Sequence, residues 1–214
     1  MKRIDWEPLY EEILSDMGYD RFSDESSARL LKTLMPNADL VDDDELPGTF
    51  GECPVVIGPA NPDLSGLDGR FIISAGSATE ILIDKGIVPN VVVTDLDGNI
   101  DSQIEASKMG ALTFLHAHGD NEDLIMRYSS SFTGPVILTT QATSDRIIRN
   151  YGGFTDGDRA VCIAFYFDAD NVELRGFDFS EPCLKDGTSP EIKLKKLRWA
   201  EKIISMFGDR VIIR

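Results

Sequence analysis

Two aspartates, Asp95 and Asp97, stand two residues apart directly after the apolar run Val91–Val93. In an extended chain this spacing puts both side chains on the same side. Two neighbouring carboxylates repel each other unless a cation bridges them or they share a proton, and Mg²⁺ prefers such hard oxygen ligands. A simple turn is the alternative, because Asp-Gly is common in turns. The uninterrupted strand before the pair favours the magnesium interpretation.

The two histidines of the chain, His116 and His118, are also two residues apart, and they follow the apolar run Leu112–Leu115. With Asp120 as a third ligand they could bind zinc, but no cysteine is placed to help, so magnesium is favoured over zinc. The histidines could instead contact phosphate or relay protons. We expect one of the two to be an ordinary core residue. Asn121 completes this polar segment.

A third polar segment, Gly152–Ala160, contains two glycines and a second acid pair, Asp156 and Asp158. Glycines allow a ligand to approach the main chain closely, and the guanidinium of Arg159 can hold a phosphate with paired hydrogen bonds. A helix that begins near Asp158 would add free N–H groups for an anion. The alternative is a glycine-rich loop that Asp158 caps, with Arg159 on the surface.

Weaker signals surround these three segments. Gly58 lies in a loop, Val56–Pro62, that could contact phosphate or adenine, although no GxxxxGK[ST] motif occurs in the chain. Asp178, in Gly176–Phe179, could point into the same cleft. Three lysines of the last predicted helix could neutralise phosphates or simply face solvent; they are Lys193, Lys195 and Lys196.

Elements that position these residues alternate between apolar strands and helices. This pattern predicts an α/β fold, with a mostly parallel Rossmann-like sheet covered by helices on both faces. The predicted strands are Val55–Ile57, Phe71–Ile73, Val91–Val93, Leu112–Leu115, Val136–Leu138, Val172–Leu174 and Arg210–Ile213. The predicted helices are Ala78–Lys85, Ser102–Met109, Glu122–Tyr128, Ser144–Asn150, Ala160–Phe167 and Glu191–Phe207. Ligands of such sheets bind beyond the carboxyl ends of the strands, where the polar segments fall.

The first part of the chain has a different pattern. Ile4, Leu9, Ile13 and Met17 recur at helical spacing, and a second helix is predicted to begin near Ser23. We expect residues 1–47 to form a helical segment that ends in an acidic, exposed connector, Asp39–Pro47, and residues 48–214 to form the α/β catalytic domain.

Composition restricts the class of partner. The formal net charge is −16, which repels nucleic acid and anionic membranes, so neither is an expected partner. Cys53, Cys162 and Cys183 are too sparse for a disulfide framework, and no signal peptide or membrane-length apolar run is visible. We therefore expect a cytoplasmic protein with small-molecule substrates. A homo-oligomer is compatible with the sequence, which does not determine the oligomeric state.

Three blocks, in this order, resemble the archaeal 6-hydroxymethyl-7,8-dihydropterin diphosphokinase family: Pro89–Gly98, His116–Asn121 and Gly153–Ala160. The resemblance extends from about Gly58 to the C-terminal helix. The acid pair also resembles the GDxDS element of thiamine pyrophosphokinases, which are related in fold and reaction. One departure is Gly58-Pro59-Ala60, where the family carries Gly-Pro-Ser.

The resemblance implies an Mg²⁺-dependent enzyme that transfers diphosphate from ATP to the hydroxyl of 6-hydroxymethyl-7,8-dihydropterin and releases AMP, in a methanopterin- or folate-type pathway. It implies that Asp95, Asp97, Asp120 and Asp156 are the catalytic and metal-binding residues. Substrate-binding candidates are Gly58, His116, His118, Asn121, Thr155, Asp158 and Arg159. A thiamine-type diphosphokinase, a nucleotide-binding module without turnover and a nucleotide-sugar glycosyltransferase remain alternatives.

Overall fold

The computed structural model describes residues 5–36, 38–181 and 189–214. Two residues used in the sequence patterns, Ile4 and Cys183, lie outside these ranges. Within them, Cys53 and Cys162 are free thiols. None of the helices in these ranges combines the length and the apolar character that crossing a membrane requires.

Helices and strands alternate through most of the chain. The described helices are α1 (Trp6–Met17), α2 (Arg21–Leu34), α3 (Ala78–Ile83), α4 (Ile100–Lys108), α5 (Glu122–Tyr128), α6 (Asp156–Tyr166) and α7 (Pro190–Ser205). The described strands are β1 (Asp39–Leu40), β2 (Val55–Ile57), β3 (Ile72–Ala75), β4 (Val91–Thr94), β5 (Leu112–Ala117), β6 (Pro135–Thr140), β7 (Ile148–Arg149), β8 (Val172–Arg175) and β9 (Val211–Ile213).

These strands form one parallel sheet in the order β1-β6-β5-β4-β3-β2-β8-β9, with β7 also paired to β6. The predicted α/β fold is confirmed. Strands β2 to β6 are added in one direction, and the chain then returns to place β8 on the other side of β2. Because the strands are parallel, the segments that follow them emerge at the same edge.

Both faces of the sheet are buried, and successive side chains of a strand enter different cores. Val91 and Val93 pack in the core under α1, α6 and α7, whereas Val92 packs against α4 on the opposite face. Phe114 and Leu115 of β5 divide in the same way. Burial on both sides explains why the strands are continuous apolar runs rather than alternating apolar and polar residues.

The two N-terminal helices lie on opposite faces of the sheet. In α1, Tyr10 and Ile13 join the core that contains α6 and α7, whereas Leu31 of α2 packs with α4 and α5. Gly18 ends α1 in the left-handed conformation (φ 71°), and Asp20 caps α2 by accepting a hydrogen bond from the Ser23 N–H (3.0 Å). The short turn between the helices therefore wraps around the edge of the sheet.

The predicted helix Ser144–Asn150 is wrong. This segment is a turn followed by the short strand β7. The Asp145 carboxylate accepts hydrogen bonds from the N–H groups of Ile147 (2.8 Å) and Ile148 (3.0 Å). An aspartate that bonds nearby backbone in this way stabilises a turn in place of a helix.

The predicted exposed connector, Asp39–Pro47, is only partly correct. Asp39 and Leu40 form the edge strand β1, and Asp43 begins a short 3₁₀ helix with its side chain buried. The Asp43 carboxylate pairs with Arg149 and accepts a hydrogen bond from the Tyr151 hydroxyl (2.8 Å). These two long-range bonds hold the connector against the sheet.

We expect Asp43→Ala to lower the free energy of unfolding by about 1–3 kcal/mol, because it leaves the buried Tyr151 hydroxyl without its partner. The exposed neighbour Asp44 is the matched control, and Asp44→Ala should change stability by less than about 0.5 kcal/mol. Urea denaturation of the two variants measures the difference. Equal stabilities would contradict the structural role of Asp43.

Candidate active site

A cavity of about 380 Å³ lies at the carboxyl edge of the sheet. Residues that follow β2, β3, β4, β5, β6 and β8 line it, and α6 and α7 close it on one side. Seven of the site residues predicted from sequence face this cavity: Asp95, Asp97, His118, Asp120, Asn121, Thr155 and Asp156. Gly58, His116, Asp158 and Arg159 lie behind its lining.

The segment after β4 is a tight turn rather than extended chain. The Thr94 hydroxyl accepts a hydrogen bond from the Leu96 N–H (2.8 Å), and Leu96 is buried with a left-handed backbone (φ 70°). The Asp95 carboxylate accepts one from the Asp97 N–H (3.1 Å). The extended geometry assumed from the spacing is therefore wrong at these residues, although both side chains still reach the cavity.

The loop His118–Asn121, after β5, is fixed by its own side chains. The His118 N–H donates to Asn121 Oδ1 (3.0 Å), and Asn121 Nδ2 donates to the carbonyl oxygens of Asp95 and His116 (2.8 Å each). The Asp120 N–H donates to His118 Nδ1 (3.2 Å). Because Nδ1 accepts, the proton of a neutral His118 ring must sit on Nε2, which lies 3.3 Å from Asp95 Oδ2.

This contact sets the charge of Asp95. Burial acts to raise the pKa of Asp95, but the hydrogen bond and charge of His118, with the positive charges of Arg159 and Lys196, outweigh burial and hold the pKa below its ordinary value. Asp95 is therefore a carboxylate at every pH at which the protein would act. An ionised side chain next to a histidine N–H is ready to bind a cation.

The segment Gly152–Ala160 combines parts of both sequence interpretations, because a helix begins close to Asp158 and the Asp158 side chain caps it. Helix α6 begins at Asp156, and the buried Asp158 carboxylate accepts hydrogen bonds from the N–H groups of Phe154 (2.6 Å) and Thr155 (2.8 Å). Burial raises the pKa of Asp158. Arg159 is 2% exposed, so it is not on the surface.

Arg159 acts through Asp156. Its guanidinium donates to Asp156 Oδ1 (2.9 Å) and to the Phe154 carbonyl oxygen (3.0 Å). The pair presents the Asp156 carboxylate to the cavity while the cation stays behind it. In the structure Arg159 therefore positions a carboxylate, whereas the sequence had indicated a phosphate contact.

His116 is the histidine that belongs to the core. It is 1% exposed, and its Nδ1 is 3.0 Å from the Thr139 hydroxyl. Burial lowers the pKa of His116 well below the ordinary value, and the charges of Arg159 and His118 add to the effect, so the ring is neutral at pH 7. In the described part of the chain, His116, His118 and Asp120 do not bring three ligand atoms within 4.8 Å of one another, which disfavours zinc.

An aromatic wall lines the same cavity as the carboxylates. Phe177, after β8, lies between Gly58 and Gly157, and a Cβ atom on either glycine would come within 3.0 Å of its ring. Gly58 thus makes room for an aromatic ring and does not itself line the cavity. Phe154 and Tyr19 complete the wall. The sequence signal for Phe177 was its position after a strand; Tyr19 gave none.

Helix α7 brings positive charge to this acidic cavity through Lys193 and Lys196. The Lys196 Nζ atom is 5.8 Å from the ring centres of Tyr19 and Phe154. Burial raises the pKa of Tyr19, with Lys196 lowering it and Asp120 raising it. The two lysines, which were a weak signal in the sequence, line the same cavity as the carboxylates.

The donor set fits Mg²⁺. Within the described ranges, the one group of three acids whose ligand atoms lie within 4.8 Å of one another is Asp42, Asp43 and Asp44, which is remote from the cavity. A cage of three carboxylates is therefore not formed at the strand ends. Mg²⁺ needs fewer, because it binds through one or two carboxylates and takes its other ligands from phosphates and water. Candidate ligands are Asp95, Asp97, Asp120 and Asp156.

The fold and the site define an open, parallel α/β protein whose ligand cavity lies beyond the carboxyl ends of its strands. The sequence profile of a family described as 6-hydroxymethylpterin diphosphokinase MptE-like matches residues 62–182. All three polar segments lie inside this range.

Three archaeal relatives are named 6-hydroxymethyl-7,8-dihydropterin pyrophosphokinase. The protein of Pyrococcus furiosus is 39% identical over 95% of this chain and 93% of its own. The protein of Methanocaldococcus jannaschii is 31% identical over 100% of this chain and 98% of its own. The protein of Methanothermobacter thermautotrophicus is 34% identical over 93% of this chain and 92% of its own. The chain belongs to the 6-hydroxymethylpterin diphosphokinase MptE-like family.

A pH dependence follows from the depressed pKa of Asp95. Its stabilising contribution should be complete above pH ~4, the usual pKa of an unfolded aspartate, and be lost as the pH falls toward the folded-state value. Below pH ~4, the free energy of unfolding of the wild type should fall by up to about 1.4 kcal/mol per pH unit more than that of Asp95→Asn. Denaturant unfolding of both proteins between about pH 6 and pH 3, with EDTA to remove metal ions, measures this difference. Parallel curves would show that Asp95 is not held ionised.

Proposed function

We propose that this protein transfers a diphosphate group from ATP to the hydroxyl of 6-hydroxymethyl-7,8-dihydropterin, with Mg²⁺, and releases AMP. One observation carries the proposal: the three segments that lie within the matched family range converge on a single cavity of fitting chemistry. The product would enter pterin biosynthesis of the methanopterin or folate type.

Binding of the nucleotide would rest on charge. Asp95 and Asp97 would hold Mg²⁺ with Asp120 and Asp156, and the metal would neutralise the phosphates of ATP. Lys193 and Lys196 of α7 line the cavity and would add positive charge along the phosphate chain. This division of charge suits phosphoryl transfer, in which the protein contributes mainly positioning and electrostatic stabilisation.

The flat ring of the acceptor would lie on the aromatic wall. Phe177 and Phe154 border the cavity, and π-systems favour offset stacking on such faces. Asn121 is committed to the backbone by three hydrogen bonds, so it would shape the loop rather than orient the substrate directly.

The reaction would be a single displacement. The hydroxymethyl oxygen forms a bond to the β-phosphorus as the bond from that phosphorus to the α–β bridging oxygen breaks. AMP leaves with the bridging oxygen, and the hydroxyl proton is released. The protein's residues hold the acceptor oxygen and the β-phosphorus close together and in line, which removes most of the entropic cost of their encounter.

The first test is a nucleotide-product assay. Protein is incubated with ATP, Mg²⁺ and either 6-hydroxymethyl-7,8-dihydropterin or thiamine, with EDTA in a third tube, and AMP is separated from ADP by chromatography. We expect AMP only with the pterin and Mg²⁺. AMP formed with thiamine but not with the pterin would support the same mechanism with thiamine as the acceptor. No AMP from folded protein would exclude the proposal.

In the same assay, Asp97→Asn should lower kcat by about 100-fold or more, because it removes a charge from the metal site without changing side-chain size. The carboxylate oxygen that accepts from the Gly98 N–H (2.7 Å) has a counterpart in asparagine, so the fold should persist. Asp101→Asn, on the exposed face of α4, is the control and should leave kcat unchanged. Full activity of Asp97→Asn would show that the Asp97 carboxylate is not a required metal ligand.

Gly157→Ala tests the aromatic wall. The new methyl group would lie 2.6 Å from the Phe177 ring, so the ring must move, whereas the backbone of Gly157 suits alanine. We expect KM for the pterin to rise by about 10-fold while KM for ATP changes little. Phe177→Leu removes the stacking surface itself and should also raise KM for the pterin, again with little change in KM for ATP. Equal changes in both KM values would contradict this assignment.

A further inference from the structure

Asp24, on the N-terminal helix α2, is a buried carboxylate that the proposed reaction does not use directly. It is 3% exposed and accepts three hydrogen bonds. Its Oδ2 accepts from the Tyr10 hydroxyl (2.6 Å) and from Gln141 Nε2 (2.8 Å), and its Oδ1 accepts from the Gly119 N–H (2.7 Å). Asp24 therefore joins α1, α2, the end of β6 and the loop after β5.

Gly119 lies in the middle of the loop His118–Asn121. Three of the four backbone N–H groups of this loop bond within it: those of His118, Asp120 and Asn121. The fourth, that of Gly119, donates to Asp24. Because this half-buried N–H bonds to Asp24 and not within the loop, Asp24 is the tie between the centre of the loop and α2.

The helix also approaches the loop too closely for a side chain at residue 119. A Cβ atom on Gly119 would lie 2.7 Å from the Ser23 Cβ, which real atoms do not tolerate. The backbone of Gly119 is not in the left-handed region. Glycine is thus required at this position by the contact with α2, not by the turn itself.

Displacement of this loop would change the site in two ways. His118 Nε2 would move from Asp95 Oδ2, and the Asp120 N–H would release His118 Nδ1, which fixes the ring tautomer. Asp120 and Asn121, which line the cavity, belong to the same loop. A small shift of groups that position reactants can lower turnover strongly.

We propose that Asp24 is a positioning residue, which holds the loop His118–Asn121 through the Gly119 N–H so that His118 faces Asp95. The effect of Asp24 on catalysis rests on the proposed function, whereas its effect on the position of the loop is independent of that function. It makes the N-terminal helices part of the active site.

The principal test compares Asp24→Ala, which removes both acceptor oxygens, with two controls in the AMP assay. Tyr10→Phe removes another donor to the same carboxylate, and Asp43→Ala removes a buried carboxylate that has no bond to the loop. We expect Asp24→Ala to lower kcat by about 10- to 100-fold with little change in KM. The two controls should keep kcat within about threefold of the wild-type value, even if their free energy of unfolding falls as much as that of the Asp24 variant. A loss of kcat that simply follows stability across the three variants would overturn the proposal.

A second readout does not depend on turnover. The chain contains two histidines, so the ¹⁵N ring signals of His118 can be assigned by substitution of His116. In wild type they should report a proton on Nε2, and the Gly119 amide should be protected from hydrogen exchange. Asp24→Ala should shift these ring signals and remove the protection, and Asp43→Ala should do neither. Unchanged signals in Asp24→Ala would overturn the proposal, whether or not the wild type releases AMP.

If Asp24→Ala fails to fold, the loop can be displaced from the other side. Gly119→Ala should lower kcat and shift the His118 signals, because its methyl group meets Ser23. Adding Ser23→Gly removes the opposing Cβ atom and should restore both. Failure of this second substitution to restore either readout would contradict the proposed contact.

Discussion

The parallel hydrogen-bond ladder is the constraint on which the site depends. It aligns the strands so that the segments after β2, β3, β4, β5, β6 and β8 leave the sheet at one edge. Polar residues that are far apart in the chain therefore meet, from Asp95 to Asp156. The buried apolar strands keep this edge rigid, because side chains on both faces are packed into cores.

Placing several carboxylates at one edge creates a repulsion that the structure offsets with specific partners. His118 faces Asp95, and Arg159 lies behind Asp156 in a buried ion pair. Each partner leaves at least part of its carboxylate facing the cavity. Lys193 and Lys196 of α7 line the same cavity and add positive charge to it, which suits a metal-bound polyphosphate.

The N-terminal helices contribute to this arrangement from outside the sheet. The Tyr10 hydroxyl of α1 donates to Asp24. Trp6, also in α1, donates to the carbonyl oxygen of Gln141, which follows β6 (2.8 Å). Glycine at residue 119 lets α2 lie directly against the loop that carries His118. The helices thus combine core packing with polar contacts to the rim of the cavity, and a division of the chain at residue 47 would separate residues that are bonded to one another.

Local sequence determined most of the elements, because apolar runs and helix caps act over a few neighbouring residues. It also indicated that Asp95, Asp97, Asp120 and Asp156 belong together, since each follows a strand or opens the next helix of a parallel sheet. Sequence failed where a distant partner decides the conformation. Arg149 and Tyr151 hold Asp43 against the sheet, and pairing with β6 makes Ile148 and Arg149 a strand where a helix was expected.

Tertiary structure alone decided what the polar residues contact. The sequence could not show that Arg159 faces a carboxylate rather than a phosphate, or that Gly58 accommodates Phe177. Nor could it assign Asp24, which looks like any acid in the first turn of a helix until Gly119, in the loop after β5, donates to it. Composition and spacing fix which groups are available along the chain, whereas the pairing of buried charges and donors depends on distances that exist only after the sheet has formed.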